Sequence, residues 1–303
     1  MILESLIKTV SALETKNPKQ KILEIIKNRG VEVEEINLKA NNEDVTYLRF
    51  YVKNSKNRTV EVLGRLGAVQ INNSIGLVSD ADGAIVSLTV LLELLNLIEN
   101  GFNIPINVTV ITNVSTNAML IPHQPFYFMV PLVGLEEAIK YEVDKKADTL
   151  ISIDSTKGNK IAKYNDFAIT HVIKEGYILR VTEEIIDIYT RVTNHEPYFI
   201  PLTTGDLTPL SFKVYHISTT LVSPWIYTDA AVLGVATVSA YPVPGYATGV
   251  MDINMLEHAS RFILELIKYL NDKNLVYYDD ELKELKEKIG NSNLLRFHSG
   301  GIS

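Results

Sequence analysis

At 303 residues the chain is long enough for one large α/β domain or two smaller ones. Hydrophobic residues make up 46 % and charged residues 21 %, a balance that excludes a disordered chain. A net charge of −7 without a long basic block argues against a nucleic-acid surface, and the absence of cysteine excludes disulfides, thiolate metal sites and a cysteine nucleophile.

In chain order, the stretch "MILESLIKTVSALETKNPKQ" interrupts its apolar residues, carries Glu4 early and lacks a basic start, so it reads as a short amphipathic helix and not as a signal peptide. "PKQKILEIIKNRG" has helical spacing through Ile22, Ile25 and Ile26 and stops at Gly30. "VEVEEINLK" and "VTYLRFYVK" alternate apolar and polar residues, the pattern of strands, and "TVEVLGRLGAV" is a third strand that breaks at Gly64 and Gly67. From Ala84 to Leu97 nearly every helical face is apolar, which predicts a helix buried against a sheet. That run contains Ser87, Thr89, Glu93 and Asn96 and is too short and polar to span a bilayer, so a soluble cytoplasmic protein is expected.

"INVTVITNV" (106–114), "DTLISID" (148–154) and "AAVLGVATVSA" (230–240) are continuous β-rich runs, as expected of strands covered on both faces. "FAITHVI" and "GYILRV" predict a hairpin across Lys174, Glu175 and Gly176. "TEEIIDIYTRV" and "INMLEHASRFILELIKYL" are amphipathic helices, and the polar, glycine-ended tail at 291–303 is expected to be flexible. Strands interleaved with helices predict a three-layer α/β fold with a mostly parallel central sheet and helices on both faces.

In such sheets functional groups gather beyond the carboxyl ends of the strands. Three predicted strand ends carry polar residues there: Ser79 to Asp82, Asn113 to Asn117, and Asp154 to Lys157. An Asp just before a helix is an N-cap by default, and Asp82 is read that way. Asp80, two residues upstream, needs a nearby positive charge, either a divalent cation or a side chain such as Arg65 or Lys157. Asp154 closes an otherwise apolar strand, and as a lone acid it is equally well a loop starter. No phosphate loop, dinucleotide fingerprint, nucleophile elbow or zinc-protease helix motif is present, and no catalytic residue is assigned.

The blocks "VEVLGRLGAVQINNSIGLVSDADGAIVSLTVLLELL", "INVTVITN", "LISIDSTKG" and "VPGYATGVMDINMLEHASRFILELI" resemble, in order, those of dinuclear zinc aminopeptidases and their deacylase relatives. Over residues 60–300 the phrases "SDADGAIVSL", "SIDSTKGN", "IKEGYILRV", "TTGDLTP", "VYHI" and "VPGYATG" are more closely similar to an archaeal and bacterial family known as domain of unknown function 1177. The resemblance implies a single domain over 1–290, with a peptidase-like core at about 57–275 and added helix and strand elements over 1–56. It maps a bridging metal ligand onto Asp80 and a later one onto Asp154. The other ligand positions are not matched: Arg65 or Leu66 stands at the first histidine, "NVSTNA" lacks the glutamate pair, and the late histidine falls near Thr248. The nearer family's pattern implies histidine and aspartate at Asn113 and Asn117 and histidine at Asp252. His123, Asp206 and Asp252 are the remaining weaker candidates for a metal shell.

Two readings stay open. One is a metal-dependent peptidase or amidohydrolase, with a divalent ion such as zinc on Asp80 and Asp154. The other is a non-catalytic binding or assembly protein in which Arg65 replaces the metal's charge, the crevice being lined by Arg65, Asp82, Asn113, Asn117 and Lys157. A small peptide or amide is the expected ligand. A homo-oligomer is expected as well, because the apolar hairpin at 167–181 and the "PFYFM" block look hard for one chain to cover.

Overall fold

In the computed structural model the described residues are 2–40, 43–54, 56–67, 70–71, 74–75, 77, 81–114, 119–121, 128–157, 162–203, 216–217, 219–240, 251–290 and 292. Two helices, α1 (Ile2–Leu13) and α2 (Pro18–Ile26), precede a long hairpin of β1 (Glu32–Ala40) and β2 (Glu43–Val52). Then come β3 (Thr59–Gly64), the two-residue strands β4 (Gln70–Ile71) and β5 (Ser74–Ile75), the buried helix α3 (Asp82–Glu99) and β6 (Asn107–Val114). A small ladder of β7 (Met119–Ile121) and β8 (Phe128–Val130) leads to α4 (Leu135–Glu142) and β9 (Thr149–Lys157). The remainder comprises β10 (Asp166–Ile169), β11 (Val172–Lys174), β12 (Tyr177–Leu179), α5 (Glu183–Thr193), a 3-10 helix (Thr220–Ile226), β13 (Ala231–Ser239), α6 (Ile253–Tyr269) and α7 (Asp279–Ile289).

Among the described residues nine strands form one sheet, β1-β2-β6-β3-β9-β13-β11-β12, with β10 also paired to β13. Only its centre, β6-β3-β9-β13, is parallel; every other pairing is antiparallel. The mostly parallel sheet expected from the sequence is therefore corrected to a mixed one. The cause is connection length. The short link from Val52 to Thr59 reverses the chain but cannot return it in parallel, which takes a dozen or more residues.

Period-two alternation assigns each central strand two faces. Val60, Val62, Val108, Val110, Ile151, Ile153, Leu233 and Val235 face α3 and α6 in the main core, and α1 packs against those two helices. Leu63, Ile111, Leu150 and Val232 point the other way, onto Ile139 of α4 and Val222 and Trp225 of the 3-10 helix. The sequence reading assigned no helix to α4, a short element with only Ala138, Ile139 and Glu142 buried.

The predicted hairpin forms between β11 and β12. Its turn has positive φ at both Glu175 (52°) and Gly176 (80°), the conformation that matches the twist of two-residue hairpins. Val172, Ile173, Tyr177 and Leu179 of this hairpin are buried within the chain itself, while Ile178 is exposed. Phe126 and Tyr127 of the "PFYFM" block lie outside the described residues. No helix among the described residues is long and apolar enough to cross a membrane.

Candidate functional site

The site forms where the carboxyl ends of β3 and β9 meet the start of α3. Two glycines permit that meeting. A Cβ on Gly64 would lie 1.9 Å from the carbonyl oxygen of Gly83, and one on Gly83 would lie 2.7 Å from the Arg65 nitrogen and 2.8 Å from the Ile153 oxygen. Backbone therefore packs on backbone, which only glycine allows. The first turn of α3 is satisfied accordingly: Ala84 N–H donates to the Arg65 carbonyl at 2.9 Å. Here the reading of Asp82 as a side-chain cap is corrected. The N-cap position is Ala81, no side chain caps it, and Asp82 is the first helical residue. Its carboxylate still sits at the favourable end of the helix dipole, and it accepts a hydrogen bond from Thr237 Oγ1 at 2.8 Å, joining α3 to β13.

The chain just past β3 is clamped from its other side. Leu66 N–H donates to Asn113 Oδ1 at 2.9 Å, and Asn113 Nδ2 donates to the Leu66 carbonyl at 2.9 Å. The amide thus imitates a β-ladder partner and extends the β3–β6 pairing by one step. Asn113 is occupied in holding this loop.

Arg65 continues the alternation of Glu61 and Leu63, so its side chain falls on the α4 face. There its Nε lies 3.1 Å from both carboxylate oxygens of Glu142, and Nη2 donates to Oε2 at 2.9 Å. Glu142 is 2 % exposed. Nη1 lies 3.6 Å from Asp154 Oδ2, an ion pair beyond hydrogen-bond length, and is itself buried with no hydrogen-bond acceptor. Burial alone would push the guanidinium down, but Glu142 and then Asp154 more than offset it, so Arg65 titrates above the ordinary arginine range and stays charged. Asp154 Oδ1 accepts from the N–H of Ser155 at 2.9 Å. Tyr47 of β2 closes the group from below, 2 % exposed, its phenol raised by burial and then by Glu142.

The structure thus brings Arg65 and Asp154 together, with Asn113 and Asp82 holding the adjoining backbone and strand. It assigns Asp252 elsewhere: Oδ1 accepts from Asn254 and Met255 N–H at 3.0 and 3.2 Å, so this candidate ligand is the N-cap of α6. Lys157 is the last residue of β9, and Asp80, Asn117, His123 and Asp206 lie outside the described residues. Glu142 was missed from sequence, although it repeats the spacing of Ala138 and Ile139 and so sits as an acid on the buried face of α4.

The donor set described here does not fit a divalent cation. Glu142 is saturated by Arg65, and a cation on Asp154 would face a permanent guanidinium. Among the described residues no group of three or more His, Asp or Glu side chains is arranged to hold a metal ion.

A family model described as "Protein of unknown function (DUF1177)" matches residues 36–299. The chain belongs to this family. No match is found among curated proteins. Among solved structures the DUF1177 chain is similar to a glutaminyl cyclase from an Acidobacteriales bacterium, with 13 % identity, a TM-score of 0.55 and coverage of 90 % of this chain and 94 % of that one. It is also similar to leucyl aminopeptidase from Trypanosoma cruzi, at 14 % identity and a TM-score of 0.53, with 86 % of this chain and 59 % of that chain covered. The bottromycin maturation enzyme BotP matches at 11 % identity and a TM-score of 0.51, over 86 % of this chain and 69 % of that one. At these identities the likeness shows a shared fold and nothing of the chemistry.

Proposed function

We propose that this DUF1177 chain uses a peptidase-like fold to bind a small peptide or amide beyond the carboxyl ends of its central strands, without a catalytic metal. Arg65 supplies there the positive charge that a metal would supply in a hydrolase. The observation that supports this reading is the placement of the Arg65 guanidinium between Glu142 and Asp154, at the end of the strand where the resemblance implies a histidine ligand. A fixed charge of this kind holds the acids together at all ordinary pH values and needs no ion for folding. Asp80, the other carboxylate implied by the resemblance, is part of the proposed crevice.

The test is metal binding by the full chain after dialysis against a chelator. Zinc or manganese, added back at modest excess, is expected to leave the thermal midpoint unchanged and to remain unbound by elemental analysis. One or more equivalents bound, with a stabilisation lost on Asp80→Ala or Asp154→Ala, would overturn the reading and restore the metal-dependent hydrolase.

A further inference from the structure

A second polar cluster lies at the same end of the sheet, at the junction of three elements. Asp166 opens β10 and pairs with Val238 near the carboxyl end of β13. Its side chain is 8 % exposed. Oδ1 accepts from Phe167 N–H at 2.7 Å, which fixes the carboxylate. Oδ2 faces two imidazoles: His258 Nδ1 of α6 at 2.7 Å, and His195 Nε2, just after α5, at 3.4 Å.

The protons follow from the partners. A carboxylate only accepts, so His258 carries its proton on Nδ1. The other nitrogen of His195, Nδ1, lies 2.8 Å from the carbonyl oxygen of Glu196, which also only accepts. Both nitrogens of His195 therefore face acceptors. A neutral ring has one proton and satisfies only one of them, leaving the Nε2 lone pair aimed at a carboxylate. The doubly protonated ring satisfies both. The 3.4 Å separation is longer than an ordinary N–H···O bond and has room to tighten.

We propose that Asp166, His195 and His258 form a proton-binding clasp, in which protonation of His195 closes the third contact and pins α6 and the end of α5 to the rim of the sheet. The groups facing His195 are Asp166 from β10, Glu196 through its backbone carbonyl, Tyr189 from α5 at its edge (ring centroids 5.7 Å apart) and Tyr198 tilted against it (4.6 Å). Tyr198 is in turn stacked on Tyr164 at 4.5 Å. His258 meets the same Asp166 oxygen. Among the described residues Asp166 is the only carboxylate in contact with either ring. One added proton is thus matched by charge, whereas a second would set two imidazoliums against each other around one oxygen. Side-chain exposures of 31 % for His195 and 29 % for His258 let solvent protons reach both rings.

The experiment is a pH titration of the nitrogen-labelled full chain by two-dimensional imidazole spectroscopy. As pH falls through the histidine range, both His195 nitrogens are expected to become protonated while the ring stays bonded to Asp166, with the exposed His216 as an internal reference showing no such bond. His195→Phe, which keeps the ring but cannot take the proton, should remove the His195 signals and leave His258 Nδ1 bonded to Asp166. A His195 ring that leaves Asp166 on protonation, or an Nε2 that stays unprotonated when Nδ1 and the His216 reference are protonated, would overturn the clasp. Should His195→Phe fail to fold, the wild-type spectrum decides alone.

Discussion

Glu61 offers the sharpest test of the energetics beneath the site. It lies on β3 four residues before Arg65, is fully buried, and accepts one hydrogen bond, from Asp144 N–H to Oε2 at 2.9 Å. Its other oxygen is buried without a partner. Burial, with the nearby Asp144 acting in the same direction, pushes its carboxyl up to about 8 from the ordinary 4.5, although Asp144 N–H and Arg49 pull the other way. The folded protein then holds a proton that the unfolded chain has released between those two values. Stability is fully present below about pH 4.5 and is lost as pH rises towards about 8, beyond which it is flat. A shift from 4.5 to about 8 corresponds to a loss on the order of 3–5 kcal/mol, a large share of a domain's total. Glu61→Gln keeps the acceptor and removes the titration. Urea unfolding at a series of pH values from about 5 to about 9 should show this decline in the wild type and little of it in the variant, the two being similar at the acid end. Parallel declines in both proteins would refute the argument that Glu61 is protonated when folded.

Three further outcomes follow from the same packing. Gly64→Ala should destabilise by about 3 kcal/mol or more in chemical denaturation, at or above the usual overpacking range, because its methyl meets the Gly83 carbonyl and not a side chain that can turn away. Arg65→Met should cost about 3–5 kcal/mol by stranding the buried Glu142, and Arg65→Met with Glu142→Leu should recover most of it; a double variant as unstable as the single would deny the pairing. Asp252→Ala should lower the thermal midpoint by the worth of one helix cap, about 1 kcal/mol.

Much of the fold was legible because burial writes itself as period. The continuous apolar runs of β6, β9 and β13 and the helical stripes of α3 and α6 leave little choice of element. The mixed character of the sheet was also hinted at by the alternating apolar and polar residues of β1, an edge strand with no fully buried residue, whereas β2 is covered on both faces from Val45 to Leu48. Strand order was not legible, since β3 sits between β6 and β9 through contacts distant in sequence. The same limit governed the site. Arg65 and Asp154 were readable as polar residues ending apolar strands, but Glu142 came from a helix too short to show its period. Asp166 and His258 are 92 residues apart, and no local pattern announces their meeting. Asp82 was misread because its neighbour Gly83 lets the helix end reach the Arg65 carbonyl, which supplies the acceptor that a cap would otherwise provide.

In the metal-free reading proposed above, the placement of Arg65 sets a guanidinium against any metal ion on Asp154. A cation bound to Asp154 Oδ2 would stand within about 6 Å of Arg65 Nη1, given the 3.6 Å ion pair already present and an ordinary metal–oxygen bond. At an effective dielectric of about 20, repulsion between a divalent ion and that charge is on the order of 5 kcal/mol. A micromolar metal site is worth about 8 kcal/mol, so the penalty would weaken it past millimolar. Arg65 cannot escape by losing its proton, because Glu142 and Asp154 hold it charged, and it cannot easily swing away, because Glu142 is 2 % exposed and would be left buried without a partner. In the metal-free reading proposed above, the carboxylate that anchors the guanidinium, Glu142 of α4, is the residue that would close the site to metal, from an element whose position in sequence has no likeness to a ligand motif.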